Sequence, residues 1–386
     1  MNRAEIVTVK VHLTDTQTVE GAGARAVMIR FDGKALGPLF QGTIVTDGTD
    51  TQFFPREGAG TLSARYLLEG TDFTGRACRI WIENNGQVRE GEPIETTPRI
   101  LTDSQALAFL ETGELSGGIE SLEEEGWLLI HLYLRGRWSR EELRISHHGR
   151  EIYGVLRRPA GAGRFPAVVL SHGFGGCYED FGELAALLTQ MGYVTYCFDF
   201  CGGSPRARST METWKMTLHT EQEDLLAIVA ALEQDPGVDP ERLFLLGGSQ
   251  GGMISALAAE ALGDRIRGMV LLFPAFCIPE HWCEDYYPAG KEIPETFDFW
   301  GVTLGRAFVE DLHAMDREHM LGTYSGPVRI CHGDEDRIVD LSYSQKALTR
   351  YQNAELIVYP GEGHGFGKEA TCDFAGKVLQ FLRAQG

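Results

Sequence analysis

The chain has 386 residues, 43% of them hydrophobic and 23% charged; this is enough for more than one core, since single domains usually run to about 100 to 200 residues. The apolar fraction excludes an intrinsically disordered chain, and the 47 Gly and 15 Pro follow no fixed period of the fibrous kind. With 35 Lys and Arg against 55 Asp and Glu the formal net charge is −20, a field that repels phosphate backbones and anionic lipid, so neither nucleic acid nor a membrane surface is expected as a partner.

The first ten residues, MNRAEIVTVK, alternate polar and apolar side chains and lack the unbroken apolar stretch of an export signal. No run of about eighteen apolar residues follows that could span a bilayer. The eight cysteines are scattered, without a C-x-x-C pair. They read as reduced, buried and cytoplasmic rather than as a disulfide framework or a metal site.

Through about Gly136 the pattern has period two. Val7, Val9, Val11 and Leu13 share one face, and Thr8, Lys10 and His12 the other, which is strand patterning. Similar runs cover Ala26–Phe31, Leu39–Val45, Leu62–Leu68, Cys78–Glu83 and Trp127–Leu134, with Asp32-Gly33, Asp47-Gly48 and Asn85-Gly86 as turn dipeptides between them. Only Thr102–Thr112 looks helical, and the Glu-rich stretch Ile119–Gly126 reads as a solvated connection. An all-β barrel or sandwich over residues 1–137 follows. The segments Gly58–Tyr66 and Arg79–Gly86 resemble a family of small bacterial β-barrel domains of unknown role.

From about Trp138 short apolar strands alternate with helix-length amphipathic runs, the signature of a mostly parallel α/β sheet. Strands are expected at Pro166–Ser171, Tyr193–Asp199, Arg242–Gly247, Gly268–Phe273, Val328–His332 and Glu355–Tyr359. Helices are expected at Thr213–Gln234, Gln250–Leu262, Ser342–Tyr351 and Lys368–Ala384. This second domain, 138–386, carries all the recognisable chemistry.

One strand runs into Gly247-Gly-Ser249-Gln-Gly251 and then into a helix. A sharp strand-to-helix turn that exposes a serine hydroxyl needs glycines two residues to either side, so Ser249 is the candidate nucleophile. A serine attacks only when an imidazole takes its proton, and the imidazole needs a carboxylate to fix its tautomer. Asp336, in His332-Gly-Asp-Glu-Asp336-Arg-Ile-Val339, follows a late strand and is the candidate acid; Asp334 and Glu335 read as turn and solvent charges. His364, in Gly363-His-Gly365 after the last strand, completes the order Ser, Asp, His as the candidate base. The oxyanion of such a reaction needs two backbone donors. Gln250 N–H, next after the nucleophile, is one. Phe174 N–H, in the loop Ser171-His-Gly-Phe-Gly-Gly176, is the other, with His172 stabilising that loop.

These motifs, with Phe198-Asp-Phe-Cys-Gly-Gly-Ser204, resemble the α/β-hydrolase superfamily and more narrowly the bacterial cinnamoyl and feruloyl esterases, over about Arg140–Gly386. The resemblance implies an α/β-hydrolase sheet with a lid inserted after the sixth strand, Ser249, Asp336 and His364 as the triad, and no metal or organic cofactor. Two features depart from it: the run Cys201-Gly-Gly-Ser204, which leaves one pocket wall open, and the added amino-terminal half. The lid falls at about 275–325 and is rich in aromatics, of which Trp300, Phe299 and Tyr286 are the candidates for contact with a flat acyl group. It carries ten carboxylates against Lys291, Arg306 and Arg317, which disfavours polyanionic substrates.

The expected activity is therefore that of a serine carboxylic ester hydrolase releasing hydroxycinnamates from a small-molecule ester. Acyl-CoA thioesterase or acyltransferase activity is an alternative, as is a ligand-binding protein that has lost catalysis. A serine peptidase of the prolyl-oligopeptidase kind is a third; it would bring the repeated blades of a β-propeller, and no such repeat is present. Self-association into a homo-oligomer stays open.

Overall fold

The computed structural model describes residues 2–386. They form two compact units, one of residues through Arg137 together with Lys368–Gln380, the other of Trp138–Gly367 with Phe381–Gly386. The change of period puts the junction at 137/138; the body that follows is not continuous to 386, because Lys368–Gln380 goes with the first unit.

The first unit contains β1 (Asn2–Glu20), β2 (Ala24–Leu36), β3 (Phe40–Ile44), β4 (Gly48–Pro55), β5 (Gly60–Asp72), β6 (Ala77–Val88), β7 (Ile94–Thr102), β8 (Leu115–Ser121) and β9 (Trp127–Gly136). Every neighbouring pair is antiparallel. Since β1 pairs with β2 on one side and with β9 on the other, the sheet closes on itself and is a barrel rather than a sandwich. Closure leaves no open edge for another chain to extend. Alternate residues point inward and are buried, among them Leu62, Ala64, Tyr66 and Leu68 on β5 and Ile130, Leu132 and Leu134 on β9, as the period-two pattern requires.

Three expectations change here. The helix at Thr102–Thr112 shrinks to a single 3-10 turn, Ala108–Glu111, because Thr96, Pro98 and Ile100 alternate inward along a strand that runs to Thr102. The dipeptides Asp32-Gly33 and Asn85-Gly86 lie inside β2 and β6. Their glycines serve close strand approach rather than turning: a Cβ on Gly33 would lie 2.4 Å from Lys10 O, and one on Gly86 2.9 Å from Glu95 O. Asp47-Gly48 does sit at a connection, between β3 and β4.

The second unit contains β10 (Trp138–His147), β11 (Arg150–Pro159), β12 (Phe165–Ser171), α1 (Gly182–Gln190), β13 (Val194–Phe198), α2 (Leu218–Glu233), β14 (Val238–Gly248), α3 (Gln250–Leu262) and β15 (Gly268–Leu272). Next comes the inserted segment, with α4 (Ile278–Glu280) continuing into a π turn, the hairpin β16 (Thr296–Phe299) and β17 (Val302–Gly305), and α5 (Arg306–Ala314). The chain returns through β18 (Val328–Gly333), α6 (Leu341–Arg350) and β19 (Ala354–Tyr359). The last helix, α7 (Lys368–Ala384), is divided between the units, with Lys368–Gln380 in the first and its end in the second. Eight strands make one sheet in the order β10-β11-β13-β12-β14-β15-β18-β19. Strands β10 and β11 pair antiparallel and the neighbours from β13 to β19 are parallel.

The central strands are buried throughout, Val194–Phe198 for example, which is why they read as unbroken apolar runs. Strand β10, WSREELRISH, is mostly exposed at the sheet edge, so charged residues hide its signal in the sequence. Register sets the functional end: Ser171 pairs with Gly247, Gly248 with Leu272, and Leu272 with Cys331. The carboxyl ends of β12, β14, β15 and β18 therefore stand in one row, where loops of a parallel sheet build sites.

Replacing Gly33 by Ala should lower the melting temperature, because the new methyl meets backbone that cannot move; overpacking of this kind costs about 1–3 kcal/mol. Gly23, where a Cβ would meet nothing within 4 Å, is the control, and Gly23→Ala should leave the melting curve in place.

Candidate active site

Ser249 stands between β14 and α3 with φ +52° and ψ −121°. A side chain there is strained, and strain of this order, about 1–3 kcal/mol, persists only where the surroundings impose it. They do: Ser249 N–H donates to Leu272 O at 2.9 Å, and Ser249 O accepts from Gly252, Met253 and Ala275 N–H at 3.0, 3.1 and 2.9 Å. A Cβ on Gly247 would lie 2.2 Å from Gly251 O, and one on Gly251 2.2 Å from His172 O, so both flanking glycines are obligatory.

The half-buried hydroxyl of Ser249 donates to His364 Nε2 at 2.8 Å. His364 Nδ1 donates to Asp336 Oδ2 at 2.7 Å. Ring contact with Phe273, 4.6 Å between centroids, supports the imidazole from one face; Phe273 is itself at φ +35°. The Asp336 side chain has no exposed surface, and burial alone would raise its pKa. Hydrogen bonds from His332, from His364 and from the Val339 and Ile338 amides outweigh that and hold the carboxyl well below the usual carboxylate range. The neighbouring Asp334 accepts from Gly361 N–H at 2.7 Å and shapes the turn. Asp340, not Asp336, is the N-cap of α6, accepting from Ser342 N–H.

The loop after β12 passes beside the nucleophile, where a Cβ on Gly173 would lie 3.2 Å from Ser249 Cβ and 3.9 Å from its Oγ. His172 fixes this loop: its Nδ1 donates to Gly173 O at 2.7 Å and its Nε2 accepts from Phe200 N–H at 3.1 Å. Those bonds define a neutral imidazole, and burial pushes its pKa down. The Phe174 amide lies in the middle of this loop, and the Gln250 amide opens α3 directly after Ser249. The Gln250 side chain donates to Glu221 Oε2 at 2.8 Å. Burial, assisted by nearby Asp224, raises the Glu221 pKa to about 8 against the lowering effect of that bond.

Two of the three lid residues singled out in the sequence, Phe299 and Trp300, pack against Phe174, and the third, Tyr286, packs against Phe299. Phe299 is 5.6 Å and Trp300 6.3 Å from the Phe174 ring, Phe299 and Trp300 stack at 4.7 Å, and Tyr286 is 5.9 Å from Phe299. Trp300 and Gly301 form the two-residue tip of the β16–β17 hairpin, both at positive φ. Trp300 is 65% exposed, an unusual place for a bulky residue. A separate cavity of about 630 Å³ is lined by Glu280, Glu284, Arg317, Tyr343, Lys346 and Arg350 among others. None of the three triad residues lines it, and its charges are partly matched internally, with Arg317 2.8 Å from Glu284.

Sequence reading missed Phe273, His332 and Glu221. His332 lay in view in the His332-Gly-x-x-Asp336 spacing; the other two had no local signal, one being a strand-end aromatic and the other a helix residue.

Glu221 gives this site a pH signature. Its carboxyl titrates near 4.5 when unperturbed and near about 8 when folded, so the folded protein holds a proton that the unfolded chain releases. The associated stability is complete below about pH 4.5 and is lost as pH rises through about 8. Glu221→Gln, which still accepts from Gln250, should match the parent in melting temperature at about pH 5 and exceed it progressively toward about pH 9.

The Prolyl oligopeptidase family matches residues 180–385, more than half of the chain. Acylamino-acid-releasing enzyme of Homo sapiens is 21% identical over 266 residues, which cover 63% of this chain and 35% of that protein. Monoglyceride lipase of Rattus norvegicus is 28% identical over 189 residues, 49% of this chain and 59% of that protein. The chain thus spans less than two thirds of the length of either relative. Est1E from Butyrivibrio proteoclasticus, solved with ferulic acid bound, is similar in structure with a TM-score of 0.57 and 25% identity, over 63% of this chain and 99% of that one. The missing propeller repeats describe only what precedes the catalytic part, here a closed barrel, and do not set the chain outside the peptidase family named above. The matched segment carries Ser249, Asp336 and His364, and the chain belongs to the prolyl oligopeptidase family.

Proposed function

We propose that the protein is a serine carboxylic ester hydrolase that releases hydroxycinnamates, such as ferulate, p-coumarate and caffeate, through an acyl-enzyme. The observation that carries the chemistry is the unbroken hydrogen-bonded line from Ser249 Oγ through His364 to Asp336, at 2.8 and 2.7 Å. Ser249 Oγ attacks the ester carbonyl as His364 Nε2 takes its proton, and Asp336 steadies the imidazolium. The Phe174 and Gln250 amides receive the oxyanion. Collapse breaks the bond to the alkoxy oxygen, which leaves with the proton from His364; water then repeats the attack and frees the acid.

Support for a flat acyl group comes from the ring wall of Phe174, Phe299, Trp300 and Tyr286 beside the oxyanion loop, since such faces stack on planar rings. The likeness to Est1E with ferulic acid bound points the same way. Acyl-CoA is disfavoured by the ten lid carboxylates. A second reading, cleavage of N-acylated amino acids or peptides, is favoured by the family itself and by the likeness to the acylamino-acid-releasing enzyme.

Ser249→Ala should abolish turnover of p-nitrophenyl acetate by several powers of ten, and Asp336→Asn should cost about four, while Asp334→Asn stays near the parent. Residual high activity in Ser249→Ala would overturn the assignment of the nucleophile.

Specificity is tested with methyl ferulate, methyl p-coumarate, butyrate esters and N-acetyl-alanine p-nitroanilide side by side. The aryl-propenoyl esters should show the highest kcat/KM, and Trp300→Ala should narrow their advantage over butyrate. Equal values for ferulate and butyrate would make the ring wall a mere cover, and preference for the anilide would establish the second reading.

A further inference from the structure

We infer that His332 is a positioning residue for the catalytic acid, extending the relay to Ser249, His364, Asp336, His332 and Ser344. This rests on the serine-hydrolase chemistry proposed above. His332 is the penultimate residue of β18, and its side chain is wholly buried. Its Nε2 lies 2.9 Å from Val339 O and 3.2 Å from Asp336 Oδ2. Both are acceptors, so the proton is on Nε2. Nδ1 then accepts from the hydroxyl of Ser344, 2.7 Å away and equally buried. A neutral Nε2–H ring accounts for these contacts, its one proton pointing to Val339 O and shared with Asp336 Oδ2.

A histidine needed only for packing would have been satisfied by Val339 O. What is added is a donor on Asp336 Oδ2, the same oxygen that receives His364 Nδ1–H. Asp336 Oδ1 accepts from Ile338 and Val339 N–H, both at 2.9 Å. Three hydrogen bonds and the shared His332 proton thus hold the carboxylate in place. The two imidazoles also divide the charge of one oxygen. Without His332, Oδ2 would turn its full charge on His364 and favour the imidazolium, while the carboxylate gained room to swing.

The effect is readable as a pH shift because the groups facing Asp336 are few. They are His332 from β18, His364 from the loop after β19, Cys277 from the segment before α4 and Asp340 at the start of α6. Burial pushes the Cys277 thiol up to about 12, and hydrogen bonds from Ser342 hold Asp340 below its ordinary value. Neither titrates in the neutral range.

The test compares the full-length parent with His332→Gln, His332→Phe and Ser344→Ala. Each is measured for kcat and KM on p-nitrophenyl acetate and for the rate of Ser249 labelling by a fluorophosphonate across pH, with circular dichroism to confirm folding. Labelling forms an O–P bond, expels fluoride and passes the serine proton to His364, so it reads the relay whatever the natural substrate. His332→Phe should lose about ten- to a hundredfold in kcat, by analogy with the loss seen when the partner orienting a functional side chain is removed, with KM little changed. The acid limb of its profile should move to higher pH. His332→Gln should recover most of the loss, since its amide can donate to Asp336 and accept from Ser344. Ser344→Ala should shift the limb in the same direction by less. A folded His332→Phe with the parent's kcat and an unmoved limb would overturn the proposal, as would a Gln variant no better than Phe. If the Phe variant does not fold, an unmoved limb in Ser344→Ala overturns it. Failure of the ester reading shows separately, as full labelling of Ser249 without ester turnover.

Discussion

The molecule's chemistry depends on one backbone constraint, a serine held at φ +52° between a buried strand and a buried helix. Left-handed backbone costs a residue with a Cβ free energy that nothing local returns. The cost is met by the sheet and the following helix: Leu272 O, and the amides of Gly252, Met253 and Ala275, bind both ends of the Ser249 peptide. The turn in turn dictates its neighbours. Two glycines must flank it because other backbone passes 2.2 Å from where their side chains would be, and one of those backbone atoms, His172 O, belongs to the loop after β12, which packs directly on the turn. The serine turn and the loop after β12 are thus positioned by a single packing problem.

The second half of the site is positioned differently. Asp336 and His364 come from loops whose conformation is fixed by hydrogen bonds rather than by steric exclusion. The buried carboxylate is tied to Ile338, Val339, His332 and His364. A turn maintained by Asp334 and Gly361 carries the histidine toward the serine. Such a loop can tolerate exchange of side chains that the elbow cannot, because only the donors and acceptors have to be preserved.

The sequence carried the parallel sheet almost completely, since strands covered on both faces are apolar from end to end, as Val194–Phe198 is, and its helices Gln250–Leu262 and Lys368–Ala384 have the expected limits. It concealed β10 because an edge strand with Arg140, Glu141, Glu142 and Arg144 has no apolar run to show. In the barrel the glycines misled. A glycine in a β-rich sequence signals either a turn or a crowded crossing of strands, and only the tertiary structure distinguishes Gly33 from Gly48. The triad residues were legible because each sits directly after a strand end within glycines or a spaced motif. His332 and Glu221 act through a second residue, and a partner 29 positions away, as Gln250 is from Glu221, leaves no trace in local pattern.

The membership of Lys368–Gln380 in the barrel unit has a consequence for the order in which the protein can be built. The barrel's first strand pairs with its last, β1 with β9, so closure must wait for about the first third of the chain, and contacts so distant in sequence form slowly. The stretch that completes this unit leaves the ribosome only after every strand of the eight-stranded sheet has been made. Synthesis therefore begins with the first unit and comes back to it shortly before the last residues, Phe381–Gly386, which belong to the second. A nascent chain holds an unfinished first unit throughout translation of the eight-stranded sheet, and a cut at residue 137 separates the barrel strands from Lys368–Gln380 of the same unit.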